Sequence, residues 1–151
     1  SGLLPYGRLG QVTKDSPTLF RNDINRHISQ MVTTRVGTTN SPWLKDFAIG
    51  DLHTIAVSHG EGKFVVNEEF AKELFANGQV ATQYVDLNGN ASMDEEWNIN
   101  GSYAAIEGIT SPDGRVLGKM GHSERIGNGL YKNVYGEYDI KMFASAVKYF
   151  K

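Results

Sequence analysis

The stretch LHTIAVSHGEG, residues 52–62, decides the fold class. Its first seven residues form a short run rich in apolar and β-branched side chains, which is typical of a buried central strand. His59-Gly60-Glu61-Gly62 follows directly. In open α/β sheets the reactive groups collect beyond the carboxyl ends of strands. The stretch therefore predicts a central strand with a candidate site at its carboxyl end.

A second histidine is predicted to follow a strand in the same way. Residues 104–110 and 115–120 have strand patterns, and Ser111-Pro112-Asp113-Gly114 between them is a strong hairpin-turn signal. Gly121-His122-Ser123-Glu124-Arg125 then leaves the second strand of the hairpin. We expect both histidines to lie at strand ends.

The remaining patterns complete an α/β domain with helices flanking the sheet. Strands are predicted over residues 30–36 and 79–85 from their side-chain alternation. Helices are predicted over residues 67–77, capped by Asn67 and stopped at Gly78, and over residues 139–150. The apolar face of the last helix should comprise Ile140, Phe143, Ala144, Val147 and Phe150. Residues 1–27 are predicted to be irregular, and residues 86–102 a polar loop.

Composition limits the classes of function. The 151 residues are 40% hydrophobic and 21% charged, which suits one compact globular domain. The net charge of -2 is spread along the chain without a basic stripe, so nucleic-acid binding has no electrostatic support. The apolar runs are too short to span a bilayer, and no leader is evident. With no cysteine in the chain, we expect a cytoplasmic protein.

The two histidine loops support different chemistry. Glu124, two residues after His122, could fix the tautomer of a general acid/base, although the same pair could be an incidental surface ion pair. The glycines around His59 could bring backbone amides to a ligand, or could serve only a turn with positive φ.

Two metal sites are weaker alternatives. His59 and Glu61 could combine with His122 and Glu124 as zinc ligands, although neither pair has the helical spacing of common zinc motifs. Residues 86–90 begin like a calcium loop, but the sixth and twelfth positions are Ala91 and Trp97 instead of glycine and glutamate. A polar turn explains this segment better.

Nine segments, taken in order, resemble one family from residue 2 to about residue 150. They are Gly2-Leu3-Leu4-Pro5-Tyr6-Gly7, residues 22–27, Ser41-Pro42-Trp43-Leu44, residues 58–64, Gly78-Gln79-Val80-Ala81, Tyr84-Val85-Asp86, Asn100-Gly101-Ser102, residues 106–115 and Gly121-His122-Ser123-Glu124-Arg125. This set resembles the glutaminase domain of formylglycinamide ribonucleotide amidotransferase (FGAM synthase). The resemblance implies the C-terminal part of a flavodoxin-like class I glutamine amidotransferase sandwich, with a mixed sheet and flanking helices.

The resemblance also implies roles for particular residues. A cysteine attacks the side-chain amide of glutamine, His122 is the general acid/base, and Glu124 orients it. Ser58, His59 and Gly60 match the segment that lines the glutamine pocket. The ammonia passes to a synthetase domain of the same enzyme, which uses ATP and Mg, so this chain itself needs no cofactor or metal.

The sequence departs from the family in two respects. Gly121 and Ser123 replace the prolines of the usual Pro-His-Pro-Glu-Arg motif, which predicts a less rigid loop. The cysteine and its elbow are absent, so residues 1–151 are expected to be a partial domain that lacks its N-terminal half and has no glutaminase activity alone. Such a piece should expose a sheet edge. A non-catalytic interaction module docking on a synthetase remains the main alternative.

Overall fold

A computed structural model describes residues 14–127, 129–134, 138 and 140–151. Within these residues the chain forms seven strands and two α-helices. They are β1 (Thr18–Phe20), β2 (Ile28–Val36), β3 (Leu52–His59), β4 (Lys63–Val65), α1 (Glu68–Ala76), β5 (Val80–Tyr84), β6 (Ile106–Thr110), β7 (Leu117–Lys119) and α2 (Lys141–Phe150). Short 3-10 helices cover Pro42–Leu44 and Tyr103–Ala105.

Five of the strands form one sheet in the order β3-β2-β5-β6-β7, and β1 pairs with β4 in a separate ribbon. Every described pairing is antiparallel, so the mixed sheet implied by the resemblance is not found among the described strands. The longest runs from Ile28 opposite His59 to Arg35 opposite Leu52. Beyond β7, the His122 amide donates to the Ala56 carbonyl of β3 at 2.8 Å. The sheet therefore curls until the chain after its last strand touches its first.

The predicted central position of residues 52–58 is wrong for the described sheet, because β3 lies at one end of the strand order. His53, Ile55 and Val57 are buried, whereas the alternate residues are half-buried or exposed. This two-residue alternation indicates a strand with one covered face. This alternation was not evident from the sequence, because the less buried face carries Ala56 and Thr54, which also suit a central strand.

The predictions for α1 and the hairpin are confirmed. The Asn67 side chain accepts a hydrogen bond from the Phe70 amide at 2.7 Å, and Gly78 ends the segment with a φ of 64°. Phe70, Ala71 and Leu74 bury the apolar face of α1 against Val80 of β5 and Ile106 of β6. This packing fixes one side of the sheet that carries the candidate site.

The apolar face predicted for α2 is wrong. Ile140, Phe143, Val147 and Phe150 are all exposed by more than 40%, and Ala144 is exposed. The helix instead buries Met142, Ser145 and Ala146, and it packs on the 3-10 helix Pro42–Leu44. The Ser145 hydroxyl donates to the Pro42 carbonyl at 2.7 Å. Small side chains allow this close approach, so they occupy the interface although larger apolar residues are available.

The prediction that residues 1–27 are irregular is wrong for Thr18–Phe20, which forms β1, and residues 1–13 lie outside the described part. Among the described residues, no helix is both long and apolar enough to cross a membrane.

Candidate functional site

The His122–Glu124 pair is formed as predicted from its spacing. Imidazole Nδ1 of His122 lies 2.6 Å from Oε1 of Glu124. This hydrogen bond is the main cause that holds the pKa of the Glu124 carboxyl below its usual value. Because an ionised carboxylate can only accept, the neutral ring carries its proton on Nδ1 and offers Nε2 for proton exchange. Arg125 lies 3.8 Å from the same carboxylate oxygen, as a partner to its charge.

The loop that carries the pair is attached to the sheet at consecutive residues. The Gly121 amide donates to the carboxylate of Glu107, and the His122 amide donates to the Ala56 carbonyl at 2.8 Å. Ser123 is buried, and its hydroxyl accepts from Lys119 Nζ at 3.3 Å. Prolines at positions 121 and 123 could make none of the contacts that Gly121 N–H and the Ser123 hydroxyl provide. The loop thus gains contacts that its proline counterpart would lack.

The carboxyl end of β3 presents the predicted glutamine-binding segment. The Ser58 hydroxyl lies 3.1 Å from Nε2 of His27, on the exposed side of the β2–β3 pair. His59 Nε2 lies 3.0 Å from the Asn100 side-chain oxygen, and Asn100 donates its side-chain N–H to the Tyr84 hydroxyl at 2.8 Å. Asn100 and Tyr84 are fully buried. His59 is therefore oriented from within the core.

The turn after β3 is shaped by close packing. Neither Gly60 nor Gly62 has a positive φ, so the turn interpretation that invoked this conformation is wrong. A Cβ on Gly62 would lie 2.2 Å from His59 Nε2, because the turn folds against the imidazole. The Gly62 amide donates to the Asn22 side chain at 3.0 Å, and Asn22 donates to the His59 carbonyl at 2.8 Å. The Gly62 amide thus serves the turn itself.

The two histidine loops meet on one strand. Ala56, which anchors His122, lies two residues before Ser58 on β3. Burial lowers the pKa of His59, and the nearby His122 lowers it further, whereas Asn100 and Glu107 oppose the shift. His59 therefore favours the neutral ring. The structure brings together the predicted acid/base pair and the segment predicted to bind glutamine.

The described residues do not support the metal alternatives. No group of three or more His, Cys, Asp or Glu side chains in the described ranges could hold a metal ion. Residues 86–90 form a polar turn, in which the Asp86 carboxylate accepts the Asn88 and Asn90 amides at 2.8 and 2.9 Å. The polar-turn interpretation is confirmed.

Sequence reasoning missed three buried residues behind the site. Asn100 orients His59, Tyr84 supports Asn100, and Glu107 binds the loop before His122. Burial also raises the pKa of the Tyr84 hydroxyl well above its usual value, so it stays protonated. The Asn100-Gly101-Ser102 segment was a usable signal, because it is one of the segments that carry the family resemblance. Glu107 also lies in one of these segments, residues 106–115, but nothing in the sequence marked it as a partner of the loop at Gly121.

Comparison with known proteins identifies the family. The CobB/CobQ-like glutamine amidotransferase domain family matches residues 1–150. The chain belongs to this family. The predicted resemblance to the glutaminase part of FGAM synthase is confirmed, because relatives of the chain are named as subunits of this enzyme, phosphoribosylformylglycinamidine synthase. Phosphoribosylformylglycinamidine synthase subunit PurQ of Thermomicrobium roseum is 36% identical over 129 residues, which are 85% of this chain and 52% of the relative. The PurQ subunit of Acaryochloris marina is 37% identical over 125 residues, 83% of this chain and 48% of that subunit.

The fold agrees with the family. The solved structure of PurLQS from Thermotoga maritima superposes with a TM-score of 0.66 and 26% identity, over 89% of this chain and 53% of that one. The predicted class I amidotransferase-like α/β fold is confirmed by this match. The chain spans about half the length of the curated relatives that it matches.

Proposed function

We propose that this chain carries the histidine–glutamate half of a glutaminase site that serves a phosphoribosylformylglycinamidine synthase in purine biosynthesis. The single observation that carries the proposal is the 2.6 Å contact between His122 Nδ1 and Glu124, on a loop anchored to the strand that carries Ser58 and His59 and ends before Gly60. Membership in the amidotransferase family supports the same chemistry. We propose purine biosynthesis as the pathway because the relatives are named as PurQ subunits of phosphoribosylformylglycinamidine synthase.

The proposed chemistry is amide hydrolysis through a thioester. His122 Nε2 takes the proton of a cysteine thiol, and the thiolate adds to the side-chain carbonyl carbon of glutamine. The C–N bond then breaks, and the imidazolium returns the proton to the departing ammonia. The same ring then deprotonates a water, which adds to the thioester carbonyl carbon. The C–S bond breaks, glutamate leaves, and the imidazolium returns its proton to the cysteine thiolate. Glu124 stabilises the imidazolium and fixes which nitrogen exchanges the proton.

The nucleophile must come from outside these residues, because the chain contains no cysteine. We propose that residues 1–151 are one part of an amidotransferase domain whose other half supplies the cysteine elbow. Among the described strands, β3 pairs only with β2, although the His122 amide also bonds its Ala56 carbonyl; the rest of this edge is where we propose that the added part binds. The chain by itself should release no ammonia from glutamine.

The ammonia produced would be consumed by a synthetase partner that uses ATP and Mg. No described cluster fits a metal ion, and the proposed hydrolysis has no step that involves ATP or Mg. The similarity to a chain of the Thermotoga maritima PurLQS structure is the reason to expect a synthetase partner. The absence of a membrane-spanning helix among the described residues is compatible with a proposed cytoplasmic location.

The test compares this chain with a protein that combines it with the proposed cysteine-bearing half. Ammonia release from glutamine is expected only from the combined protein. In that protein, His122→Gln and Glu124→Gln should each lower kcat by roughly 10²- to 10⁴-fold, as is typical when a general base or its orienting partner is lost. Release of ammonia by the chain alone, or full activity of both variants, would contradict the proposal.

Glu61→Gln is the matched control, since Glu61 is an exposed glutamate in the turn after β3. It should leave kcat unchanged under the proposed mechanism. A large loss in this variant, together with zinc bound at one equivalent, would instead support a zinc-dependent hydrolase that uses the two histidine loops as its metal ligands. A combined protein that binds its synthetase yet releases no ammonia would support the interaction module.

A further inference from the structure

Glu107 is a buried carboxylate that the proposed reaction does not use. Its side chain is fully buried on β6, between β5 and β7. The Thr82 hydroxyl on β5 and the Gly121 amide both donate to it, and Lys119 Nζ on β7 lies 3.9 Å away. The Lys119 side chain is only 10% exposed. Glu107 thus connects both neighbouring strands with the loop that follows β7.

A charge pair in this position needs a specific reason. Transferring a carboxylate and an ammonium group out of water is costly, and apolar side chains of the same size often stabilise a core as well or better. Leu19, Phe64 and Ile109 line the adjacent cavity of about 90 Å³, so the surroundings are largely apolar. Stability alone does not explain Glu107.

The pair holds the residues on both sides of His122. Glu107 accepts the Gly121 amide, and Lys119 contacts the Ser123 hydroxyl at 3.3 Å. The His122 amide itself is fixed to Ala56 of β3. Three consecutive residues therefore have separate supports, which restrict the loop that carries the His122 imidazole and Glu124.

We propose that Glu107 and Lys119 form a buried clamp, and that Glu107 is the positioning residue that holds the loop where Glu124 can set the orientation and tautomer of His122. The meaning of this orientation for catalysis rests on the proposed glutaminase function. The clamp itself can be tested without glutamine. Loss of Glu107 frees the Gly121 amide, lets the loop move relative to β3, and weakens the selection of the Nδ1-protonated ring.

The test is NMR of the full chain, using two-bond ¹H–¹⁵N correlations of the His122 ring and amide hydrogen exchange. Glu107→Gln keeps the side-chain shape without the charge, and Glu107→Asp keeps the charge but shortens the reach. Both should shift the His122 nitrogen signals from the Nδ1-protonated pattern toward a mixture of tautomers. The Gly121 and His122 amides should exchange roughly 10- to 100-fold faster, as expected when a hydrogen bond to a charged group is lost.

Glu73→Gln on the exposed side of α1 is the matched control and should change neither readout. The Thr110 amide, which donates to the Gln79 carbonyl at 2.8 Å, reports whether the sheet stays intact. Folded Glu107 variants with an unchanged His122 tautomer would overturn the proposal and leave Glu107 a purely structural group. If these variants do not fold, Ser123→Ala decides, because it removes one clamp contact and retains the buried pair; an unchanged tautomer there overturns the proposal. Because neither readout needs ammonia release, failure of the glutaminase assay leaves this result independent.

Discussion

Replacing Gly121 by alanine should dislodge the loop that presents His122. A Cβ at this position would lie 2.8 Å from Ile55 Cγ2 and 3.0 Å from both Ile55 Cδ1 and Glu107 Oε1. Carbon atoms in good contact lie roughly 3.5–4.0 Å apart, so the nearest overlap is at least about 0.7 Å. Ile55 is fully buried and cannot swing into solvent. The loop must therefore move outward, or the core must deform.

The loss of stability expected for Gly121→Ala is that of an overpacked core. Overpacking in a closely packed interior lowers the free energy of unfolding by about 1–3 kcal/mol. For a chain of this length, that loss corresponds to a fall in Tm of about 2–12 °C. Urea denaturation followed by tryptophan fluorescence measures the change. Gly127→Ala is the matched control, because its Cβ would meet nothing within 4 Å, and it should lose less than about 0.5 kcal/mol.

A double-mutant cycle identifies the clash. Ile55→Ala removes both overlapping carbon atoms, Cγ2 and Cδ1, and by itself should cost about 2–5 kcal/mol. Combined with Gly121→Ala, it should give a loss smaller than the sum of the single losses by at least about 0.5 kcal/mol. If Gly121→Ala is as stable as Gly127→Ala, or if the two losses are simply additive, the close packing of the loop on β3 is refuted.

Three further outcomes are expected from unfolding experiments. Tyr84→Phe leaves the Asn100 side-chain N–H buried without its acceptor, so the free energy of unfolding should fall by about 1–3 kcal/mol; a loss below about 0.5 kcal/mol in urea denaturation would contradict this. Because the hydrogen bond from His122 lowers the native pKa of Glu124, this stabilisation is complete above the usual value of 4.5 and is lost as the pH falls through the native value. This stabilisation should amount to less than about 1 kcal/mol for so exposed a carboxyl. The free energy of unfolding should therefore fall by that amount between about pH 6 and about pH 3, and Glu124→Gln should abolish this contribution. A variant with an unchanged pH dependence of unfolding would count against the pair. Ser145→Ala should cost about 1 kcal/mol in thermal unfolding, and no loss would argue against docking of α2 through its small residues.

Much of the candidate site was predictable because its contacts are local. A single intervening residue separates Glu124 from His122, and the turn at residues 111–114 follows from the conformations that proline, aspartate and glycine adopt. The Asn67 cap likewise depends on residues three apart. Such features need only the sequence, since the atoms that interact are held close by the backbone.

The supports behind the site were not predictable in the same way. Glu107 and Gly121 are separated by 14 positions, and His59 and Asn100 by 41. Which of many polar residues becomes the partner depends on how the sheet curls, and no periodic pattern records that choice. The same holds for α2, where Ser145 and Ala146 are buried because they allow close approach to Pro42–Leu44.

The sequence by itself determined the family, the hairpin, the capped helix and the contact between His122 and Glu124, because short-range geometry and residue chemistry suffice for these. Only the tertiary structure decided that β3 lies at the end of the described sheet, that His122 is anchored on it, and that Glu107 lies beneath the loop. The physical reason is that burial and register are settled by contacts between distant segments. The free energies of these contacts depend on the whole domain, and no single stretch of the chain contains both partners.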